Sequence, residues 1–308
     1  MFTVTNNPRV VYQNAMQFLQ SGDLRRAERL LQTLLERFPN DLSVLYSLAQ
    51  IGFMTGRPDL VIEKMRRCIE LDPYDGGAHH NLGDALRSKG RHDDAIVELN
   101  RAISLMPNPA AAHNSLGLTL KDLGRMTESV AAFRTATVLD PSYAIAHSNL
   151  LLFSNYQAEI GPGELFEEHR RWSEKYESPL RNSRIPHTND PTADRKLRVG
   201  YVSADLRQHS VAYFLLALLE HHDRDQVHVT AYSNSAAADD ITSRIQRSVD
   251  AWCPIAGAPH DQVASRIRAD EIDILVDLSG HTAEHRLQVF ALKPAPVQIT
   301  WLGYPGST

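Results

Sequence analysis

Apolar residues over positions 8–155 recur at three- and four-residue intervals, the period of helices with one buried face, and the whole pattern returns every 34 residues. One copy reads His79, Leu82, Gly83 and Leu86, then Ala95, Leu99, Ala102 and Pro107. The next reads His113, Leu116, Gly117 and Leu120, then Ser129, Phe133, Ala136 and Pro141. An earlier copy runs Leu45, Leu48, Ala49, Gly52, Val61, Met65, Cys68 and Pro73, and the first keeps Ala15, Ala27, Leu31, Leu34 and Pro39. Gly22, Gly56, Gly90 and Gly124 stand in step with these prolines. Each copy predicts two helices, a glycine turn between them, and a proline that closes the second. Beyond residue 196 the period changes. Short β-branched runs at 197–203, 227–233, 272–279 and 297–304 alternate with helical stretches near 211–222, 240–249, 261–269 and 283–292. A short AWCPI segment precedes the third of these helices. That alternation predicts a parallel sheet with right-handed crossovers.

Small residues at Ala49, Gly83 and Gly117 let paired helices approach closely, and a hairpin that cannot bury its apolar face alone must stack on its neighbours. The first half resembles the tetratricopeptide family over roughly residues 8–155. A superhelix with a concave groove is expected, closed by a capping helix in which Leu151, Leu152 and Phe153 replace the small residues. His79, His113 and His147 also recur every 34 residues. Stacked helices lie about 8–10 Å apart, whereas zinc ligands gather about 2.0–2.1 Å from one ion, so these histidines are expected to pack between helices. Asn81 and Asn149 share one register position, with Ser47 and Ser115 filling it in the alternate repeats. Such amides can grip the backbone of an extended peptide in the groove or bond between repeats, and the sequence leaves both open.

Residues 156–195 read as a linker: a Gly-Pro-Gly break, a helix with Leu165, Phe166, His169, Trp172 and Tyr176 on one stripe, and a loop from Pro179 to Pro191. Composition narrows the class of function. A net charge of −5 lacks the basic excess of a general nucleic-acid binder. Two cysteines, Cys68 and Cys253, suit a reducing compartment. No secretory signal pattern and no membrane-length apolar run is present, so a cytoplasmic location is expected.

Parallel sheets carry their chemistry outside the carboxyl ends of the strands. Three tails there are polar or glycine-rich: Ser203–Ser210, Asp277–Thr282 and Trp301–Thr308. They are expected to meet on one rim, with Asp205 capping the next helix and Asp277 orienting its own loop. No glycine-rich phosphate fingerprint follows the first strand, which disfavours a dinucleotide domain. The triplet Asp223-Arg224-Asp225 falls at the opposite edge and is expected to be a solvated loop.

LRVGYVSADLRQHSVAYF, IDILVDLSGHT and FALKPAPVQITWLGYPGST make the second half resemble the amino-terminal lobe of the O-linked N-acetylglucosamine transferase family, which includes the SPINDLY-type proteins. Repeats directly ahead of this lobe, and the EEHRRWSEKY helix, extend the resemblance over essentially the whole chain. It implies a repeat superhelix (8–155), a linker (156–195) and a Rossmann-like α/β lobe (196–308), half of a B-type glycosyltransferase. The implied activity moves N-acetylglucosamine from UDP-N-acetylglucosamine to Ser or Thr hydroxyls of proteins with inversion, with no cofactor and no essential metal. His209 matches the family histidine discussed as general base, and His281 is a second catalytic candidate. His281 and Thr282 also match the loop lining the sugar, and Gly303, Tyr304, Pro305 and Gly306 match the cleft floor. Histidine suits the base because it titrates near neutral pH. Family members hold the nucleotide mainly with a carboxy-terminal lobe, so that lobe is an expected partner, in the same or a separate polypeptide. The competing reading is a non-catalytic adaptor whose groove binds peptides or partner proteins.

Overall fold

The computed structural model describes residues 7–158, 160–192 and 194–303, and the chain divides into two compact units, residues 1–146 and 147–308. In the first unit eight helices form four hairpins: α1 (Pro8–Gln20) with α2 (Leu24–Arg37), α3 (Leu42–Met54) with α4 (Pro58–Leu71), α5 (Gly76–Ser88) with α6 (His92–Leu105), and α7 (Ala110–Asp122) with α8 (Met126–Leu139). The turn glycines sit at φ +63 to +80°. The residue after each returns its N–H to the helix, as Arg57 does to Gly52 O at 2.8 Å and Arg125 to Leu120 O at 2.9 Å. This satisfies carbonyls that the helix end would leave open. Asp41 and Asp75, two residues past the prolines, cap the next helices by accepting from Val44 N and Ala78 N.

Close approach is visible where the sequence predicts it. A Cβ on Gly83 would lie 2.7 Å from Leu99, and one on Gly117 2.6 Å from the Phe133 ring. The two recurring histidines of this unit do not converge: His79 Nδ1 meets Glu98 at 2.6 Å and Nε2 the Pro73 carbonyl at 3.2 Å, while burial lowers the His113 pKa.

The second unit takes in most of α9 (Ala144–Ser154), then α10 (Pro162–Tyr176) and a 3₁₀ turn at Ser178–Ser183 that overlaps the start of the stretch predicted as a loop. Five parallel strands follow: β1 (Leu197–Ser203), β2 (Val227–Ser233), β3 (Ala251–Pro254), β4 (Ile274–Asp277) and β5 (Val297–Thr300), in the order β3-β2-β1-β4-β5. β3 is the AWCPI segment, too short to show alternation. The helices are α11 (Ser210–His221), α12 (Asp240–Arg247), α13 (His260–Ala269) and α14 (Leu287–Ala291). α14 starts four residues later than predicted because Glu284 adopts φ +58°, a left-handed conformation no α-helix contains. β4 and β5 also end earlier than predicted, leaving more residues for the rim loops.

The amino-terminal rim is clamped by charge. Asp273, which burial alone would push upward, is held below the usual carboxylate range by Arg195, bound through both Nη atoms at 2.6 and 2.7 Å, by Arg198 N and by Asn189. Arg224 of the acidic triplet is tied to Asp250 at 2.8 Å and to two carbonyls. Asp223 and Asp225 are exposed, as expected of a solvated loop, while the half-exposed Arg224 pins that loop to the neighbouring turn.

Candidate functional site

The carboxyl ends of β1, β4 and β5 are adjacent, so their tails share one rim. Asp277, the last residue of β4, builds it. Its buried carboxylate accepts from Ser279 N at 3.1 Å, Gly280 N at 2.8 Å and Thr300 Oγ1 at 3.0 Å. Burial raises its pKa, while those three donors pull the other way. The loop-orienting role expected of Asp277 is what the geometry provides. The loop then closes on itself through Thr282, whose Oγ1 donates to Ser279 O at 2.8 Å.

Gly303 brings the third tail to the second. A Cβ there would sit 2.1 Å from Leu278 O and 2.4 Å from its carbon, contacts no side chain can make against backbone. Its N–H folds back to Trp301 O at 2.9 Å, after Leu302 at φ +66°. Gly303→Ala should therefore unseat the tail and lower stability by about 1–3 kcal/mol. Urea denaturation followed by tryptophan fluorescence checks this, and an unchanged midpoint would show that the tail does not rest there. Tyr304, Pro305 and Gly306 lie outside the described residues.

His209 stands on the β1 tail with 39% of its side chain exposed. It is the N-cap of α11, its Nδ1 accepting from Val211 N at 3.3 Å. Asp205 Oδ2 lies 3.8 Å from the same nitrogen. The expectation that Asp205 caps this helix is corrected: the turn through Arg207 and Gln208 puts the imidazole at the cap, and Asp205 faces Arg207 and His209 instead. Gln208 N is anchored to Asp239, the cap of α12.

His281 is placed differently. Only 1% exposed, its ring stands edge-on to Trp172 at 4.7 Å, His169 at 5.2 Å and His285 at 5.7 Å. Ser148 Oγ is 3.4 Å from its Nδ1 and 2.8 Å from His285 Nε2. Burial, reinforced by the neighbouring histidines, drives the His281 pKa down to about 2 and contributes most to lowering His285 and His147 to about 4. This neutral cluster fixes the loop from behind. His169 and Trp172 belong to the helical stripe visible in the sequence, but no pattern there marks Ser148 or His285 as their neighbours.

Asn234, directly after β2, was also without a sequence signal. Its Nδ2 donates to Glu284 O at 2.6 Å and its Oδ1 accepts from Arg286 Nε and Nη2 at 2.9 and 2.7 Å. Arg286 goes on to the carbonyls of Ala258 and Ile255. The ends of β2 and β3 are thus stitched to the loop that carries His281 and Thr282.

Of the two groove asparagines, Asn81 lines a cavity of about 570 Å³ among α1, α3 and α5, its amide 3.7 Å from Met65 Sδ. Asn149 is on the part of α9 that belongs to the other unit. The serines at the alternate register positions bond between repeats: Ser47 to Tyr12 at 3.1 Å and Ser115 to His80 at 3.0 Å. No helix among the described residues is long and apolar enough to cross a membrane.

Residues 176–308 match glycosyl transferase family 41, and residues 12–76, 83–124 and 110–143 match tetratricopeptide repeat families. The chain is 41% identical over 164 residues to a probable UDP-N-acetylglucosamine–peptide N-acetylglucosaminyltransferase SPINDLY of Hordeum vulgare, covering 52% of this chain and 17% of that protein. A UDP-N-acetylglucosamine–peptide N-acetylglucosaminyltransferase of Caenorhabditis elegans is 33% identical over 116 residues, 37% of this chain and 10% of that one. Among solved structures, a Thermobaculum terrenum O-GlcNAc transferase mutant superposes with a TM-score of 0.77 at 35% identity, over 85% of this chain and 50% of that one. The chain thus spans less than a fifth of the length of these two curated relatives.

Proposed function

We propose that this chain, similar over residues 176–308 to glycosyl transferase family 41 and ahead of that to tetratricopeptide repeats, is a member of the O-linked N-acetylglucosamine transferase and SPINDLY-type family and the acceptor-side half of an inverting UDP-N-acetylglucosamine:protein O-glycosyltransferase. The observation that carries the reading is the joined rim, where Asp277 ties two tails and His209 stands exposed on the adjoining one.

In the proposed reaction a Ser or Thr oxygen attacks the anomeric carbon, the bond to UDP breaks on the opposite face, and the hydroxyl proton passes to His209. For Nε2 to take the proton, Nδ1 would have to carry the ring hydrogen, so the imidazole would give up the bond from Val211 N and turn Nδ1–H to Asp205, 3.8 Å away. Thr282 and Gly303 would line the sugar and the cleft floor, with Tyr304, Pro305 and Gly306 continuing it. His281, buried and neutral, would shape the sugar loop rather than exchange protons. UDP would be met by a carboxy-terminal lobe, a partner supported by the half-length match to the Thermobaculum enzyme. Acceptor proteins would be presented by the repeat groove, with Asn81 among its contacts, and Asn149 would be an acceptor contact on the other unit. No cofactor or essential metal enters the scheme. A cytoplasmic setting accords with two free cysteines.

The test is transfer from radiolabelled UDP-N-acetylglucosamine to a Ser/Thr peptide, by the protein with its second lobe and by this chain alone. Transfer only with the lobe is expected. Full transfer by this chain alone would remove the lobe from the scheme, and peptide binding without transfer in either form would favour the adaptor.

A further inference from the structure

The cavity in the repeat array is not reproduced further along the stack, because Tyr46, Gln50 and Phe53 do not recur there. Tyr12, Tyr46 and Phe53 supply aromatic walls, and Ser47, Gln50 and Asn81 supply polar ones. One repeat further on, the addresses of Tyr46, Gln50 and Phe53 are held by His80, Asp84 and Arg87, and two repeats on Phe53 becomes Lys121. There the surface is self-paired: His80 with Asp84 at 3.5 Å, Arg87 with Asp122 at 3.3 Å, and Lys121 with Asp122 at 2.5 Å.

At the first repeats the corresponding surface is open and uncharged. Among the described residues no charged side chain lines the cavity, in a chain where 22% of residues are charged. The two tyrosine rings are held in place by their own hydroxyls, Tyr46 donating to Asp75 at 2.8 Å and Tyr12 meeting Ser47 at 3.1 Å. Phe53 stands at the lip, 44% exposed. Rigid aromatic walls with neutral hydrogen-bonding groups between them are the make-up of a binding hot spot, and the volume falls within the usual range for ligand pockets.

We infer that this cavity takes a bulky apolar side chain from an extended, uncharged segment of a partner protein, with Ser47, Gln50 and Asn81 bonding the segment's backbone. A charged side chain entering here would give up hydration with no opposite charge to meet it. The inference rests on the acceptor-binding part of the proposal above, yet it is read without any sugar transfer.

Three fluorescein-labelled nonapeptides test it: Gly-Ser-Thr-Ser-Phe-Ser-Thr-Ser-Gly and the same sequence with Asp or Lys in place of Phe. With no sugar nucleotide present, fluorescence polarisation on the full chain should show the Phe peptide bound at least about tenfold tighter than either charged one, a factor equal to about 1.4 kcal/mol. Phe53→Arg, which installs the group found one repeat later, should remove that preference, while Phe53→Tyr should keep it. Both leave a half-exposed position and should retain helical circular dichroism. Equal affinity for the three peptides, or a Phe53→Arg protein that still discriminates, overturns the inference. So does sedimentation showing that Phe53 instead holds a second copy of the chain and that no peptide competes. The two failures are distinguishable: three equally bound peptides overturn this inference alone, whereas absence of transfer by the two-lobed protein with the Phe preference intact overturns the transferase reading alone.

Discussion

Replacing His209 by Asn in the protein with its second lobe should lower the rate of transfer about 10²–10⁴-fold, the range for removing a general base, with little change in stability. The choice of Asn follows from the geometry. His209 also caps α11 through Nδ1, so His209→Ala would lose about 1 kcal/mol of helix capping along with the base. Asn is a favoured cap and no base, so His209→Asn separates the two roles. Asp205→Asn should retain the fold and lower transfer, because the carboxylate that would draw the ring out of its capping pose is gone. Unchanged transfer by His209→Asn, measured with radiolabelled UDP-N-acetylglucosamine, would remove His209 from the chemistry.

The α/β unit should also be acid-labile, and steeply so. His147, His281 and His285 have folded pKa values pushed down to about 4, 2 and 4, chiefly by burial, against about 6.5 in an unfolded chain. A base depressed in the fold stabilises fully above its unfolded pKa and loses that contribution as pH falls below it. Each such histidine costs about 1.4 kcal/mol per pH unit between about pH 6.5 and its folded value. Together the three remove about 4 kcal/mol per pH unit, enough to exhaust a typical stability of about 5–15 kcal/mol within a few units. The facing groups do not cancel this. Lys175 and Arg171 disfavour a cation at His147, where Glu168 approaches only to 3.8 Å, and Arg286 does the same at His285. Asp277 has the opposite sign: its raised pKa favours the fold as it protonates, a partial offset from one group. All three tryptophans lie in this unit, so their fluorescence reports on it alone. A red shift between about pH 6 and 4 is expected, made shallower by about a third in His281→Gln. A flat signal to pH 4 would contradict the burial argument.

The repeat array was legible in the sequence almost residue by residue, because a hairpin's needs are local: glycine where the chain turns left-handed, a small residue where Leu99 or Phe133 presses in. The parallel sheet was legible as alternation, and the joining of its tails followed from the rule that strand ends carry function. What escaped depends on contacts far apart in sequence. Ser148 meets His281 and His285 across more than 130 residues, and Asn234 meets Arg286 across 52. No periodicity records such pairings. The late start of α14 escaped for another reason: a left-handed Glu284 is imposed by the loop's tertiary bonds against the residue's own preference.

The four hairpins share one set of joints, with the same glycine turn, the same proline stop and the same knob-and-hollow contact at intervals of 34 residues. The parts are therefore interchangeable. Excising or duplicating one 34-residue block should keep turns and stops in phase while it changes the length of the stack. The side chains at the Phe53, Arg87 and Lys121 addresses take no part in those joints, so recognition can be rewritten one module at a time while the scaffold stays the same.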